Sequence, residues 1–157
     1  MKINISGKEY SFVPNAIECE ETRESYFSLV QKVFGLDFRP WYRSGYCGDC
    51  FVPCALYHNN TAVASVAVAL NDFKWRDNPR KYAQLSTVTT DPEYRLQGLS
   101  RWLTKTVLNH WQEKCNCVYL YANDSVLDFY PKFGYETFVI FDDFPPGHKR
   151  YGYRKYL

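Results

Sequence analysis

The stretch Thr89-Thr90-Asp91-Pro92-Glu93-Tyr94-Arg95-Leu96-Gln97-Gly98-Leu99-Ser100 holds the residue pattern with the clearest chemistry in this chain. A glycine and a small residue two apart, at the first turn of a helix that follows a strand, leave backbone N–H groups uncovered. With the helix dipole and Arg95 behind them, those groups make a site for phosphate oxygens. Small side chains suit it because a bulky one would hold the phosphate off the backbone. The competing reading is that Gly98 simply permits close packing.

A second candidate is Tyr46-Cys47-Gly48-Asp49-Cys50-Phe51-Val52-Pro53-Cys54, which carries three of the six cysteines. A structural zinc ion takes about four ligands, and Cys115 or Cys117 is the only obvious fourth. There is no second CxxC pair, and a strand that holds Cys54 in a ladder competes with folding it around a metal. The expectation is therefore no metal, and no disulfide between Cys47 and Cys50 in a reducing compartment. His110 lies beside an apolar helical stripe and reads as structural. No Ser/His/Asp arrangement or paired-carboxylate spacing offers a rival active site.

The elements that must position these groups follow from periodicity and turn chemistry. Residues 8–13 read as a strand closed by Pro14-Asn15. Tyr26, Leu29, Val30, Val33 and Phe34 recur at helical spacing, with Glu18, Glu20 and Glu21 near the start and Gly35 at the end, which predicts a helix over 20–34. A short helix begins near Asp37, with Pro40 in its first turn. Residues 51–57 and 61–70 flank His58-Asn59-Asn60 as a hairpin. A loop over 71–80 leads to a strand over 82–90. Leu96, Leu99, Leu103, Val107 and Trp111 share one face of a helix over 97–114. A strand over 117–122, a helix capped by Asn123 or Asp124 and running to about 133, and strands over 135–141 and 149–156 complete the order. The chain reads as a single α+β domain over 1–157, with a mixed, mostly antiparallel sheet of about six to seven strands and about four helices.

Nineteen basic residues against seventeen acidic ones give a net charge of +2 without clustering, so no footprint for nucleic acid or anionic lipid stands out. The longest apolar run, 62–70 broken by Ser65, is too short to cross a bilayer, and the first residues lack a signal-peptide core. A cytoplasmic location is expected. Fourteen Tyr, eleven Phe and four Trp supply either a dense core or a pocket walled by rings.

The pattern Arg95-x-x-Gly98-x-Ser100, with its lead-in Asp91-Pro92-Glu93-Tyr94, resembles the R/Q-x-x-G-x-G/A signature of the GNAT superfamily, the Gcn5-related N-acetyltransferases. The segment Tyr121-Ala122-Asn123-Asp124-Ser125-Val126-Leu127-Asp128-Phe129-Tyr130-Pro131-Lys132-Phe133-Gly134-Tyr135-Glu136 resembles that family's later motif, where an asparagine ends a strand and a helix leads into FYxKxGF or similar. The expected element order is similar to the GNAT order throughout. The resemblance implies acetyl-CoA as acyl donor. It implies that the N–H groups around Arg95, Leu96, Gln97, Gly98, Leu99 and Ser100 hold the pyrophosphate. The strand before that motif splays from the next in this family, which implies that the backbone of Val88, Thr89 and Thr90 pairs with the pantetheine arm in the gap. The resemblance implies that Asn123 contacts the cofactor from the later motif.

The resemblance also implies direct transfer in a ternary complex, with Tyr130 as general acid. A phenol of ordinary pKa about 10 keeps its proton at neutral pH for a thiolate whose acid titrates near about 8.5. Some members of the family use a glutamate on the fourth strand as base. That position here is Gln84, so deprotonation of the amine runs through water, through Glu136, Asp49 or His110, or the amine arrives neutral. The acceptor side would draw on Trp41, Tyr42, Tyr46, Asp49, Phe73, Trp75, Asp142, Asp143 and Phe144, rings and carboxylates that suit a cationic amine. The primary amine of a small molecule is the expected acceptor. A peptide or protein amine, and a catalytically silent acyl-CoA sensor or interaction module, are the alternatives. A homodimer is left open.

Overall fold

The computed structural model describes residues 1–122, 126, 128–139 and 151–156. They form eight strands and three α-helices: β1 Lys2–Ile5, β2 Lys8–Val13, α1 Glu20–Phe34, α2 Arg39–Arg43, β3 Phe51–His58, β4 Thr61–Trp75, β5 Asn78–Thr90, α3 Leu99–Trp111, β6 Cys117–Ala122, β7 Glu136–Val139 and β8 Tyr151–Tyr156. The chain gathers into two compact units, Met1–Ala69 with Ser86–Val107, and Leu70–Leu85 with Leu108–Leu157.

In the first unit the strands pair in the order β1-β2-β3-β4-β5. The β1–β2 and β3–β4 ladders are antiparallel and close on tight turns. Ser6 and Gly7 (φ +52° and +82°), and Asn59 and Asn60 (φ +49° and +63°), adopt the paired left-handed conformations that a two-residue hairpin turn requires. β1 was not expected; Lys2-Ile3-Asn4-Ile5 is a short alternation whose only other signal is that turn, where the Asn4 side chain accepts from the Gly7 N–H at 3.1 Å. One face of the sheet carries α1: Tyr26, Phe27, Leu29 and Val30 bury against Phe51, Ala55, Tyr57, Ala62 and Ala67. Replacing the fully buried Phe27 by alanine would cost about 3–5 kcal/mol. α3 packs on the opposite face, where Trp102 meets Phe12 edge-on at 5.3 Å; Phe12 is paired with Leu56, which points away from α1.

In the second unit β5 is followed by β6, β8 and β7 in that order. β5 and β6 are parallel, from Tyr82↔Cys117 to Leu85↔Leu120, whereas β6–β8 and β7–β8 are antiparallel, so the sheet is mixed as expected. The expected loop over 71–80 is instead a hairpin. Arg76 and Asp77 (φ +48° and +65°) close it in two residues, which lengthens β4 to Trp75 and starts β5 at Asn78. Pro79 is tolerated because it sits at the strand's first positions.

α3 is shorter than the 97–114 expected. Leu96 has φ +62° and lies outside the helix with its side chain fully exposed, so it leaves the apolar stripe that Leu99, Leu103 and Val107 bury. The helix expected to end at 133 is, over its described part, a 3-10 turn at Tyr130–Phe133, stopped by Gly134 with φ +78°. Pro131 in that turn has no N–H to extend an α-ladder. Asn123 and Asp124, the expected caps, lie outside the described residues, as do 140–141 and 149–150 of the last two expected strands.

Candidate functional site

β5 enters the phosphate-type motif under local strain. Thr87 has φ +39°, a conformation that costs a β-branched residue on the order of 1–3 kcal/mol. Its neighbours hold it there: the Tyr26 and Thr87 hydroxyls are 3.1 Å apart, and Ser65 Oγ donates to the Thr87 carbonyl at 3.4 Å. The buried Thr89 hydroxyl meets Ser65 Oγ at 2.6 Å. Within the first unit β5 is the edge strand, so its outer row of backbone groups at 86–90 has no ladder partner in that unit. Val88, Thr89 and Thr90, whose backbone was expected to pair with an extended arm, lie on this stretch; the Asp91 N–H bonds the Val63 carbonyl of β4 at 2.9 Å, so alternation turns the Thr89 backbone toward β4 and leaves Val88 and Thr90 facing outward.

Asp91 then turns the chain. Its carboxylate accepts from the Glu93 N–H at 3.1 Å and capping a 3-10 turn at Pro92–Tyr94, and takes both oxygens to Lys32 Nζ at 2.8 and 3.0 Å. Burial pushes this carboxyl up, but the hydrogen bonds from Lys32 and Glu93, with the charges of Lys32 and Arg95, outweigh it and leave it below the ordinary range.

The turn proper runs Arg95, Leu96, Gln97, Gly98 into α3. The first helical bond runs from the Trp102 N–H to the Gly98 carbonyl at 3.0 Å, so the N–H groups of Leu99, Ser100 and Arg101 precede the ladder and stay open at the helix end. A Cβ built on Gly98 would lie 3.9 Å from Ile5 Cγ2, an ordinary contact. The glycine is therefore required by its φ of +84° and not by lack of space. Ser100 Oγ and Thr90 Oγ1 lie 2.5 Å apart. Arg95 is exposed, Leu99 is buried in the core, and the Gln97 side chain is taken up by bonds inside the protein. What this turn offers an anion is backbone N–H and the Arg95 charge.

The predicted acid, Tyr130, is buried in the second unit among Phe129 at 5.2 Å and Tyr135 at 6.0 Å, both edge-on. Gln84 is Cα partner to Tyr119 across β5–β6, and its Oε1 accepts from the Tyr119 hydroxyl at 3.2 Å. Burial pushes the Tyr119 phenol up, so it keeps the proton it donates. Asn71 Nδ2 donates to the same hydroxyl at 3.3 Å. Sequence reasoning missed Tyr119; its signal was the parallel pairing that sets it beside Gln84.

The acceptor-side residues divide. Tyr46 and Asp49 are exposed. Trp41 packs edge-on against Phe51 at 5.1 Å, and Tyr42 accepts from Arg23 at 3.1 Å, so both belong largely to the α1 core. Phe73 is exposed beside Tyr82 at 5.1 Å. Asp142, Asp143 and Phe144, like Asn123, lie outside the described residues, and the Trp75 side chain is not described. The cysteines are all free thiols. Cys54 Sγ donates to the Pro14 carbonyl at 3.1 Å, and burial pushes its thiol up to about 12. Among the described residues no group of His, Cys, Asp and Glu is placed to hold a metal ion, and no helix is long and apolar enough to cross a membrane.

Residues 16–135, which include both motif segments up to Tyr135, match the family model described as Acetyltransferase (GNAT) family. The chain belongs to the GNAT acetyltransferase family. Solved GNAT-type structures repeat the fold. Glucosamine-6-phosphate N-acetyltransferase from Arabidopsis thaliana superposes with a TM-score of 0.69 at 18% identity, over 88% of this chain and 99% of that one. Arabidopsis thaliana Naa50, in complex with the bisubstrate analogue CoA-Ac-MVNAL, gives 0.68 at 21%, over 94% and 99%. The NatC complex bound to Gag peptide and CoA gives 0.73 at 16%, over 94% and 98%. At these identities the likeness is one of fold. No curated protein sequence matches the chain.

Proposed function

We propose that this GNAT chain is an acyl-CoA-dependent N-acyltransferase that moves an acetyl group from acetyl-CoA to the primary amine of a small molecule. The observation that carries this reading is the turn from Arg95 to Ser100, where a strained strand end, a left-handed Gly98 and open N–H groups converge at the start of α3. Its donor set, backbone N–H with one guanidinium and no competing carboxylate on the turn itself, fits a pyrophosphate. When bound, the coenzyme supplies the acetyl thioester and the thiol that leaves.

The chain's own residues do the rest. N–H groups at Leu99 and Ser100, with Arg95, hold the phosphates. The outer edge of β5 along 88–90, presented by Val88 and Thr90 on either side of Thr89, pairs with the extended arm, and an N–H there stabilises developing oxyanion charge. Tyr130 holds a proton at Oη for the departing thiolate. Asn123 is assigned to the cofactor by its place in the later motif. Gln84, already accepting from Tyr119, serves as a polar wall and not as a base. Tyr46, Asp49 and Trp41 are assigned to the acceptor side.

A peptide amine is the second reading, favoured by the fold likeness to Naa50 and NatC, which were solved with peptide-bearing ligands. The deciding experiment is a thiol-release assay with acetyl-CoA against a panel of small amines and short peptides. Turnover on a small amine supports the first reading, and turnover confined to peptides supports the second. Tight CoA binding without amine-dependent turnover makes the chain an acyl-CoA sensor.

A further inference from the structure

Gln97 stands between two left-handed residues, Leu96 and Gly98, and is bound on every side. Its Oε1 accepts from Lys8 Nζ at 3.3 Å and from the Tyr10 hydroxyl at 3.1 Å, and its Nε2 donates to the Glu93 carbonyl at 3.3 Å. Its backbone carbonyl accepts from Ser6 Oγ at 3.2 Å. Ser6, Lys8 and Tyr10 all come from the β1–β2 hairpin; Ser6 and Lys8 are exposed, and Tyr10 is 1% exposed, which seats this contact in the core. A leucine in the left-handed region costs about 1–2 kcal/mol and persists only where the surroundings impose it. Gln97, the next residue, is where the hairpin's hydrogen bonds reach this turn.

Lys8 brings more than a hydrogen bond. The partner of its ammonium is a neutral amide oxygen, and the adjacent Glu9 carboxylate is spent on Lys2 at 2.7 Å. A lysine head group has three donors, so Lys8 has donors to spare beside the anion-binding turn. We propose that the β1–β2 hairpin is a working part of the coenzyme site: Gln97 is the positioning residue that sets the phosphate turn, and Lys8 adds a cation for the coenzyme's phosphate oxygens. This rests on the reading of the turn as the coenzyme phosphate site.

The test is calorimetric titration of CoA and of dephospho-CoA into wild-type protein, Gln97→Met, Lys8→Gln and Lys8→Arg, at low and at high salt. Gln97→Met keeps the volume and loses the amide, and it should raise the Kd for CoA about 10-fold at both salt concentrations, since it acts through geometry. Lys8→Gln should raise Kd about 5-fold at low salt and less than about 2-fold at high salt, because a surface charge is screened. Lys8→Arg should stay near wild type. A larger loss by Lys8→Gln on CoA than on dephospho-CoA places the charge near the 3′-phosphate, and equal losses place it near the pyrophosphate. Hydrogen exchange at the amides of Gly98, Leu99 and Ser100 should quicken in ligand-free Gln97→Met. If both Gln97→Met and Lys8→Gln bind CoA within about 2-fold of wild type, with a lower melting temperature the only change, the hairpin is merely structural and the proposal is wrong. If wild type binds no CoA at all, the coenzyme reading of the turn itself falls first.

Discussion

The hydroxyls of Thr90 and Ser100 lie 2.5 Å apart, tying the last residue of β5 to the first turn of α3. This bond fixes the spacing between the strand edge and the open N–H groups at the helix start. Ser100→Ala leaves Thr90 without that partner and should cost about 1 kcal/mol in chemical denaturation, with CoA affinity within a few-fold of wild type, because the backbone donors remain. Ser100→Leu covers those donors, and a titration with CoA should show a much larger loss than the alanine variant.

Leu96 and Gly98 share the left-handed conformation and should respond oppositely to substitution. Leu96→Gly removes the Cβ penalty of about 1–2 kcal/mol and adds unfolded-chain entropy of about 0.5–1 kcal/mol, so its melting temperature should hold or rise. Gly98→Ala meets no clash yet must adopt φ +84°, and should lose about 1–2 kcal/mol together with CoA affinity. Equal melting temperatures for Gly98→Ala and wild type would show that the turn relaxes freely.

Asp91 sets an acid-side limit on the turn. Its folded carboxyl lies below the unfolded value of about 3.9, so the stability it contributes is full above about pH 4 and is lost as pH falls through its folded pKa. Asp91→Asn should lower stability at neutral pH and flatten the acid limb of a melting-temperature profile. An unchanged acid limb would assign that limb to other carboxylates.

Tyr130→Phe keeps the ring packing against Phe129 and Tyr135 and removes the hydroxyl. If the hydroxyl is the general acid, kcat should fall about 10²-fold or more while the Kd for CoA stays level. A raised Kd with kcat preserved would make Tyr130 a binding residue.

Cysteine chemistry should follow exposure. Cys19 and Cys50 are exposed, whereas Cys47, Cys54 and Cys115 are buried and their thiols are pushed above the ordinary range by that burial. Alkylation of the native protein near pH 7.5 followed by mass spectrometry should mark Cys19 and Cys50 first, about tenfold ahead of Cys54. Early loss of Cys54 would mean that the start of β3 opens readily.

α1 and the buried face of α3 were the most readable parts of the chain because their signals are local. The Tyr26, Leu29, Val30 repeat and Gly35 define α1, and Leu99, Leu103 and Val107 define the buried face of α3. The glycine motif was equally plain, since it needs only a strand end, a left-handed residue and a helix start. Leu96 was misread because helical spacing continues through it, although its backbone does not. The bonds from Lys8 and Tyr10 to Gln97 cross 89 and 87 positions, and that of Tyr119 to Gln84 crosses 35; no periodicity reports such pairs. The acceptor side stayed open for the same reason: the residues expected there are far apart in sequence, with Trp41 and Tyr42 in α2 and Phe73 in β4, and only tertiary packing decides which of them meet.

The strand order of the second unit bears on how the protein is made. β8, the last of the described strands in sequence, lies between β6 and β7 and is the ladder partner of both. While a nascent chain is still short of Tyr151, β7 has nowhere to pair and the outer edge of β6 stays bare. This sheet is therefore completed only once Tyr151–Tyr156 have been made, and a chain that lacks them holds out two unpaired strand edges to chaperones or to neighbouring chains.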